Sequence, residues 1–456
     1  MDRTVETADE IRARRVPPGP RLPAPVQGLA YLLAGNRFIN RCMDRYGDAF
    51  TLRITGLGTI VVLSDPADIK ATFTARPGVL DAGSGNRPIE ILLGSRSLLV
   101  LDGAEHMRQR KLMLPSFHGE RIQVYRELID GLAEEMVDRW PVGRPFALLP
   151  EMQQLTLEII LRVVFGVEDA EHHAALRDRI RVLVRYAGSD VTGVRYALRG
   201  LGALRFWRAF ARAHARADEL IYGEIASRRA RPTRGDDVLS LLLEARDEDG
   251  RPMTDRELRD EIVTLLVAGH ETTATGLAWA FELLVRHPEA MGRLTEEARE
   301  GDEERYANAV AQETLRLRPP VGVMARLVRQ PIVLAGYEVP PGVRLVPAIP
   351  FVNQRPEIYP EPEAFRPERF LEHAPDTYAW IPFGGGIRRC LGASFAQLEM
   401  RRVLHVVARR TSLRAAGSKP ERAVRRAIIY PPAKGARVVL EEREPRAVPS
   451  VPVEVA

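Results

Sequence analysis

Phe383-Gly384-Gly385-Gly386-Ile387-Arg388-Arg389-Cys390-Leu391-Gly392 sets one cysteine among glycines and arginines, just before an amphipathic stretch from Ala393 to Arg410. The spacing Phe-x-x-Gly-x-Arg-x-Cys-x-Gly fixes Phe383, Gly386, Arg388, Cys390 and Gly392 together. Glycines there remove side chains, so a flat ligand is expected to lie close to the backbone. A helix starting after Gly392 would aim its N–H groups at the sulfur and favour a thiolate. Taken alone, the segment also describes a buried structural cysteine after a glycine-rich turn.

The rest of the chain narrows the setting. Its 456 residues carry no Gly/Ser-rich linker and no repeat, so one large domain over 17–445 is expected, with a flexible segment at 1–16 and a loose tail at 446–456. A net charge of +5 with no concentrated basic stripe argues against nucleic-acid binding. The two cysteines, Cys42 and Cys390, give neither a disulfide framework nor a zinc pattern, and Cys42 reads as a packing residue. No run reaches the ~18 apolar residues of a membrane span, and no secretory signal is present. A cytoplasmic protein without a membrane anchor is the expectation.

Phe50–Ile54 and Ile60–Leu63 read as two antiparallel strands, and Asp65-Pro66 as a helix start. From about Gly103 to Arg316 the apolar spacing is helical, short β-like pieces follow between Pro319 and Pro350, and strand-like pieces return from Ala427 to Leu440. The expected class is mainly α with small peripheral β-sheets.

Within a helical segment from Asp255 to Arg286, Ala268-Gly269-His270-Glu271-Thr272-Thr273 sets two tiny residues before an acid and two hydroxyls. The small pair suggests that something bulky presses on this face, because glycine in mid-helix costs about 1 kcal/mol relative to alanine. Thr272 can bond back to the Ala268 carbonyl and leave a polar notch in an apolar wall. Alone, this is also an ordinary helix with a polar patch.

A cysteine thiolate under a large planar cofactor, near an arginine, suits a haem-thiolate centre. The Phe383–Gly392 segment resembles the haem-binding signature of the cytochrome P450 family, and Ala268–Thr273 is similar to that family's oxygen-activation motif. Glu313-Thr314-Leu315-Arg316, which alone reads as a surface pair, joins Arg369 of Phe365–Phe370 to resemble the family's Glu-x-x-Arg motif and its loop partner. The resemblance runs from Pro17 to Leu440 and implies the cytochrome P450 fold. Val16–Pro20 resembles the hinge that follows the anchor in microsomal relatives.

The resemblance implies haem b (iron protoporphyrin IX), with Cys390 as the metal ligand. It implies propionate contacts from His106, Arg110, Arg326 and Arg388, and further cofactor contacts at Ala268, Gly269, Phe383, Gly386 and Gly392. Thr272 and Glu271 are implied as the catalytic hydroxyl and proton relay, and Glu313, Arg316 and Arg369 as a structural ion cluster. By position, Leu98, Leu99, Val100, Ala268, Val321, Met324, Ile428 and Ile429 would wall a pocket for an apolar small molecule. The implied reaction inserts one oxygen atom from dioxygen, by hydroxylation or epoxidation. Electrons would come from a separate ferredoxin or flavodoxin, with Arg108, Lys111, Arg389, Arg401 and Arg402 as a basic docking face. The alternatives are a peroxide-driven or non-oxygenating haem-thiolate enzyme, and a non-catalytic haem carrier or gas sensor.

Overall fold

Three- and four-residue apolar spacing folds the middle of the chain into helices, and the β-branched runs at either end pair into small sheets. The computed structural model describes residues 16–117, 119–166, 170–187, 204–230, 235–301, 303–426 and 428–446. The glycine-bearing stretch expected to form part of a lid, Ala187 to Phe206, falls mostly outside them, as do most of both terminal segments.

Apart from short turns, the helices are α1 (Ala24–Ala34), α2 (Asn36–Tyr46), α3 (Pro66–Phe73), α4 (Gly103–Met113), α5 (Arg126–Arg139), α6 (Leu148–Phe165), α7 (Ala170–Ala187), α8 (Leu204–Ala230), α9 (Val238–Glu244), α10 (Asp255–Leu284), α11 (Pro288–Glu300), α12 (Arg305–Leu317) and α13 (Ala393–Arg410). Strands β1 (Ala49–Ile54), β2 (Gly58–Leu63), β3 (Leu80–Asp81), β5 (Arg326–Val328) and β8 (Arg344–Pro347) form one sheet in the order β1-β2-β8-β5-β3. A second sheet runs β4-β10-β9, from Pro145–Ala147, Arg437–Arg443 and Thr411–Ala415, and β6 (Ile332–Leu334) pairs with β7 (Tyr337–Val339). The expected β1–β2 hairpin is present, paired from Ala49↔Leu63 to Ile54↔Gly58. Asp65 caps α3 by accepting from the N–H groups of Ala67 and Asp68, with Pro66 as the first helical residue.

Helix α10 is the axis of the body. Thr254 and Glu257 close a capping box at its start. Its second half, Thr273 to Leu284, is buried at every position, so it runs through the core with no solvent face. It packs along α6 and meets α12 and α13, whose apolar faces complete the main core. Cys42 is buried on α2 against Ile39, Phe50 and Leu52, a packing role.

A fully buried ion cluster sits at the end of α12. Glu313 accepts from Arg316 Nε at 2.7 Å and Nη2 at 2.9 Å, from Arg369 Nε at 3.1 Å and from the Arg366 N–H at 2.9 Å. Arg316 also donates to the carbonyls of Asn353, Pro362 and Ala364, tying the segment after β8 to α12. Replacing Glu313 or Arg316 with alanine is expected to cost about 3–5 kcal/mol, because the remaining partner would be left buried and uncompensated. Arg316→Lys keeps the charge but loses the planar fork, so in urea denaturation it should fall between wild type and alanine.

Candidate active site

The cysteine loop sits between α3 and α13. A Cβ at Gly385 would lie 2.5 Å from the Phe73 ring, one at Gly386 2.0 Å from the Phe73 carbonyl oxygen, and one at Gly384 2.8 Å from the Met324 sulfur. Gly384 and Gly386 also have positive φ, +68° and +63°. The packing of the loop on its own protein therefore already demands these glycines. A cradle so shaped fixes Cys390, whose N–H donates to the Phe383 carbonyl at 2.8 Å. Phe383 packs edge-on against Trp380 with ring centroids 5.9 Å apart.

Cys390 lies deep in the body, yet its surface is accessible. Burial pushes its thiol pKa up, while the Gly392 N–H on the sulfur and the nearby Arg110 and Arg389 pull it down. A thiol so buried gains most from a metal cation, which deprotonates it on binding.

Four nitrogen-rich side chains form an interacting cluster, and one of them, Arg110, acts electrostatically on the sulfur. Burial, then Arg388 and Arg110, holds the fully buried His106 neutral with a pKa near 3, and its Nδ1 has no hydrogen-bond partner. Burial and Arg388 push Arg326 down to about 10; among the described residues its side chain hydrogen-bonds only the Ala325 carbonyl, and it stacks over Phe73. Among the described residues Arg110 has no hydrogen-bonding partner, and burial lowers its pKa too. Arg388 binds the carbonyls of Leu98 and Leu101 and pairs with Asp102 at 2.5 Å. Asp102 is the one acid that counters this cluster electrostatically at both His106 and Arg326. A buried excess of cationic donors beside an accessible thiol fits a cofactor that carries carboxylates on a metal-binding plane. The residues present fit haem.

On α10, Ala268 is exposed between the half-buried Val267 and Gly269, with Leu266 and His270 buried beyond them. Thr272 Oγ1 donates to the Ala268 carbonyl at 2.6 Å, as the sequence suggested. Gly269 serves helix packing: its missing Cβ would lie 3.3 Å from Ile160 of α6. Two residues of α6 that the sequence reading missed hold this turn, one at the acid and one at the histidine before it. Gln153 Nε2 reaches both carboxylate oxygens of Glu271, at 3.0 and 2.9 Å. Thr156 Oγ1 lies 2.9 Å from His270 Nδ1 and donates to the His270 carbonyl. Burial raises the Glu271 pKa, and Gln153 and then Arg426 oppose it. Burial keeps His270 neutral, with a pKa near 4.

A family model described as cytochrome P450 matches residues 17–438. The putative cytochrome P450 137 of Mycobacterium tuberculosis is 45% identical over 433 residues, covering 92% of this chain and 90% of that protein. The putative cytochrome P450 135B1 of Mycobacterium bovis is 44% identical, with 93% and 91% covered. Among solved structures, a retinoic acid-bound cyanobacterial CYP120A1 superposes with a TM-score of 0.80 at 25% identity, covering 94% of this chain and 99% of that one. The chain belongs to the cytochrome P450 family. It is therefore a haem-thiolate oxidoreductase of the monooxygenase class, and its mainly helical architecture is the P450 fold.

Within this P450 the expected pocket walls separate. Leu98 is buried, its N–H held by Glu261 at 2.7 Å, and Ile429 is buried where it bridges to Val321. Leu99 and Ile428 are exposed, and Val100, Val321 and Met324 are half-buried. The basic docking face does not survive as drawn. Arg108 pairs with Asp247 and Glu257, Lys111 with Glu248, Arg401 with Glu304, and the buried Arg402 with Asp130 and Glu304. Each has a carboxylate partner of its own, at the surface for Lys111, which leaves Arg389 as the exposed member with no acidic partner among the described residues.

The two glycines flanking Cys390 should behave differently. Gly386→Ala drives a methyl into the Phe73 carbonyl and should lose most of the haem absorbance of the purified protein. Gly392→Ala meets no protein atom within 4 Å and has φ of −87°, so its loop should fold as in wild type and it should keep more haem absorbance than Gly386→Ala.

Proposed function

We propose that this enzyme inserts one oxygen atom of dioxygen into an apolar small molecule, by hydroxylation or epoxidation, with Glu271 and Thr272 managing protons. The observation that carries the reading is the accessible Ala268 beside a tied-back Thr272 hydroxyl, at the half-buried middle of a helix whose second half is buried throughout, with Glu271 clamped one residue away. When bound, haem supplies the iron that activates oxygen and, through its thiolate, favours O–O cleavage. Cys390 would hold that iron. His106, Arg110, Arg326 and Arg388 would hold the propionates, and Ala268, Gly269, Phe383, Gly386 and Gly392 would form its close surroundings. Non-covalent haem b suits the chain, since the second cysteine, Cys42, is committed to the α2 core.

Thr272 Oγ1 is a donor that can release Ala268 and turn to a reacting oxygen; its own proton is replaced through Glu271. Gln153 has two N–H groups and favours the ionised carboxylate, so Glu271 must leave this clamp, or pick up a proton within it, to act as a relay. By position, Leu98, Leu99, Val100, Ala268, Val321, Met324, Ile428 and Ile429 would wall the substrate pocket, and because all are apolar they suit an apolar substrate. The electron donor is a ferredoxin or flavodoxin type protein docking where Ile387 and Arg389 are exposed on the cysteine loop.

Reductant-dependent incorporation of labelled oxygen from dioxygen into product tests this reading; turnover with peroxide but none with reductant and dioxygen would refute it. Thr272→Ala should divert most of the consumed oxygen to peroxide while reductant oxidation continues. Gln153→Leu removes hydrogen bonds that stabilise the carboxylate, so the Glu271 pKa rises. The limb of the coupled-turnover pH profile that depends on Glu271 ionisation should then move to higher pH, and Glu271→Gln should abolish it.

A further inference from the structure

Helix α1 wears its apolar side outward. It has no charged residue over Ala24–Ala34, and Val26, Leu29 and Leu33 follow i, i+3, i+7 spacing on one face, with Leu22 and Leu32 beside it. These five are 45–80% exposed, although a helix on a folded body normally turns such a stripe to the core. The polar residue faces inward instead. Gln27 is fully buried, donating to the carbonyls of Pro20 and Leu22 and accepting from the Arg53 N–H at 2.9 Å. That clamp locks the orientation, so the apolar face cannot roll under.

The face continues onto the β1–β2 turn. Gly28 brings α1 down on β1, where an added Cβ would lie 3.5 Å from Ile54 Cγ2, and Leu57 at the turn is 47% exposed. Residues 16–43 contain Arg21, Arg37 and Arg41 and no acidic residue. Those three and Arg53 are exposed, and none pairs with a carboxylate among the described residues. Behind the face lies an apolar cavity of about 300 Å³, lined by Tyr31 of α1, Ile54, Leu57, Trp279, Val323 and Tyr430. An exposed apolar face with unpaired cations on the segments that adjoin it matches the chemistry of an anionic lipid surface.

We propose that α1 and the Leu57 turn seat the protein on an anionic phospholipid bilayer, with this cavity facing the lipid. The 11-residue helix is about 16 Å long, roughly half the ~30 Å of a hydrocarbon core, so it lies in the interface rather than crossing. No described helix is long and apolar enough to span.

The test is co-sedimentation of the purified full-length protein with vesicles of phosphatidylglycerol and phosphatidylcholine, against phosphatidylcholine alone, at low and high salt. The proposal expects retention on the anionic vesicles, weakened by salt, and much less on the neutral ones. Leu29→Gln/Leu33→Gln and Arg37→Gln/Arg41→Gln should each lower the partition coefficient about tenfold or more, with the thermal transition and haem absorbance of the free protein unchanged. Absent retention, equal retention on neutral vesicles, or retention indifferent to either pair would overturn it. So would self-association in sedimentation velocity that the leucine pair abolishes without any vesicle binding, since the face would then join two copies. The readout requires no turnover, so it stands apart from the monooxygenase reading.

Discussion

One buried carboxylate holds the approach to the cysteine in place. Glu313 takes hydrogen bonds from two arginine side chains and one backbone N–H with no water to share the load. Arg316 extends the constraint to three carbonyls and Arg369 to those of Pro360 and Glu361, so the irregular segment from Asn353 to Arg369 has one permitted path. That path leads on to Trp380, whose indole N–H reaches back to the Gln312 carbonyl beside Glu313. Trp380 packs on Phe383, and Phe383 receives the Cys390 N–H. Desolvating these charges is costly, and the return is positional: an irregular loop is held as firmly as a helix.

The same logic governs the other side of the site. Asp260 and Glu261 on α10 bind the N–H groups of Arg96 and Leu98, while Arg388 binds the carbonyls of Leu98 and Leu101. Asp102 adds the N–H groups of Ala82, Gly83 and Ser84 to the knot. The segment before α4 is thus pinned from above and below, and it delivers His106 and Arg110 to the cation cluster. Charge excess there and carboxylate clamping at Glu271 are opposite devices. One leaves cations wanting an anion, and the other keeps an acid occupied until it is needed.

Much of this was legible because local chemistry and fold agree. Gly-to-Arg spacing around Cys390, the back-bonding position of Thr272 and the span Ala393–Arg410 are all properties of short stretches, and the structure shows that helix over the same residues. The i, i+3 pair Glu313–Arg316 looked like surface decoration until Arg369 was added from 56 positions away. What stayed hidden was partnership across the fold. Gln153 and Thr156 are polar residues in an apolar helix, a weak signal that names no partner, and Asp102 stands at the N-cap position of α4 while its side chain serves residues 82–84. The glycines also answer a demand that the sequence hid: Phe73 and Met324 crowd the Cβ positions of Gly384, Gly385 and Gly386. The docking arginines misled because sequence shows charge and hides countercharge.

The most direct test is the carbon monoxide difference spectrum of the dithionite-reduced protein, recorded beside Cys390→Ala. Thiolate ligation predicts a strongly red-shifted Soret band in the wild type that the substitution abolishes. A band typical of histidine-ligated haem, or a red-shifted band that survives in Cys390→Ala, would contradict the account.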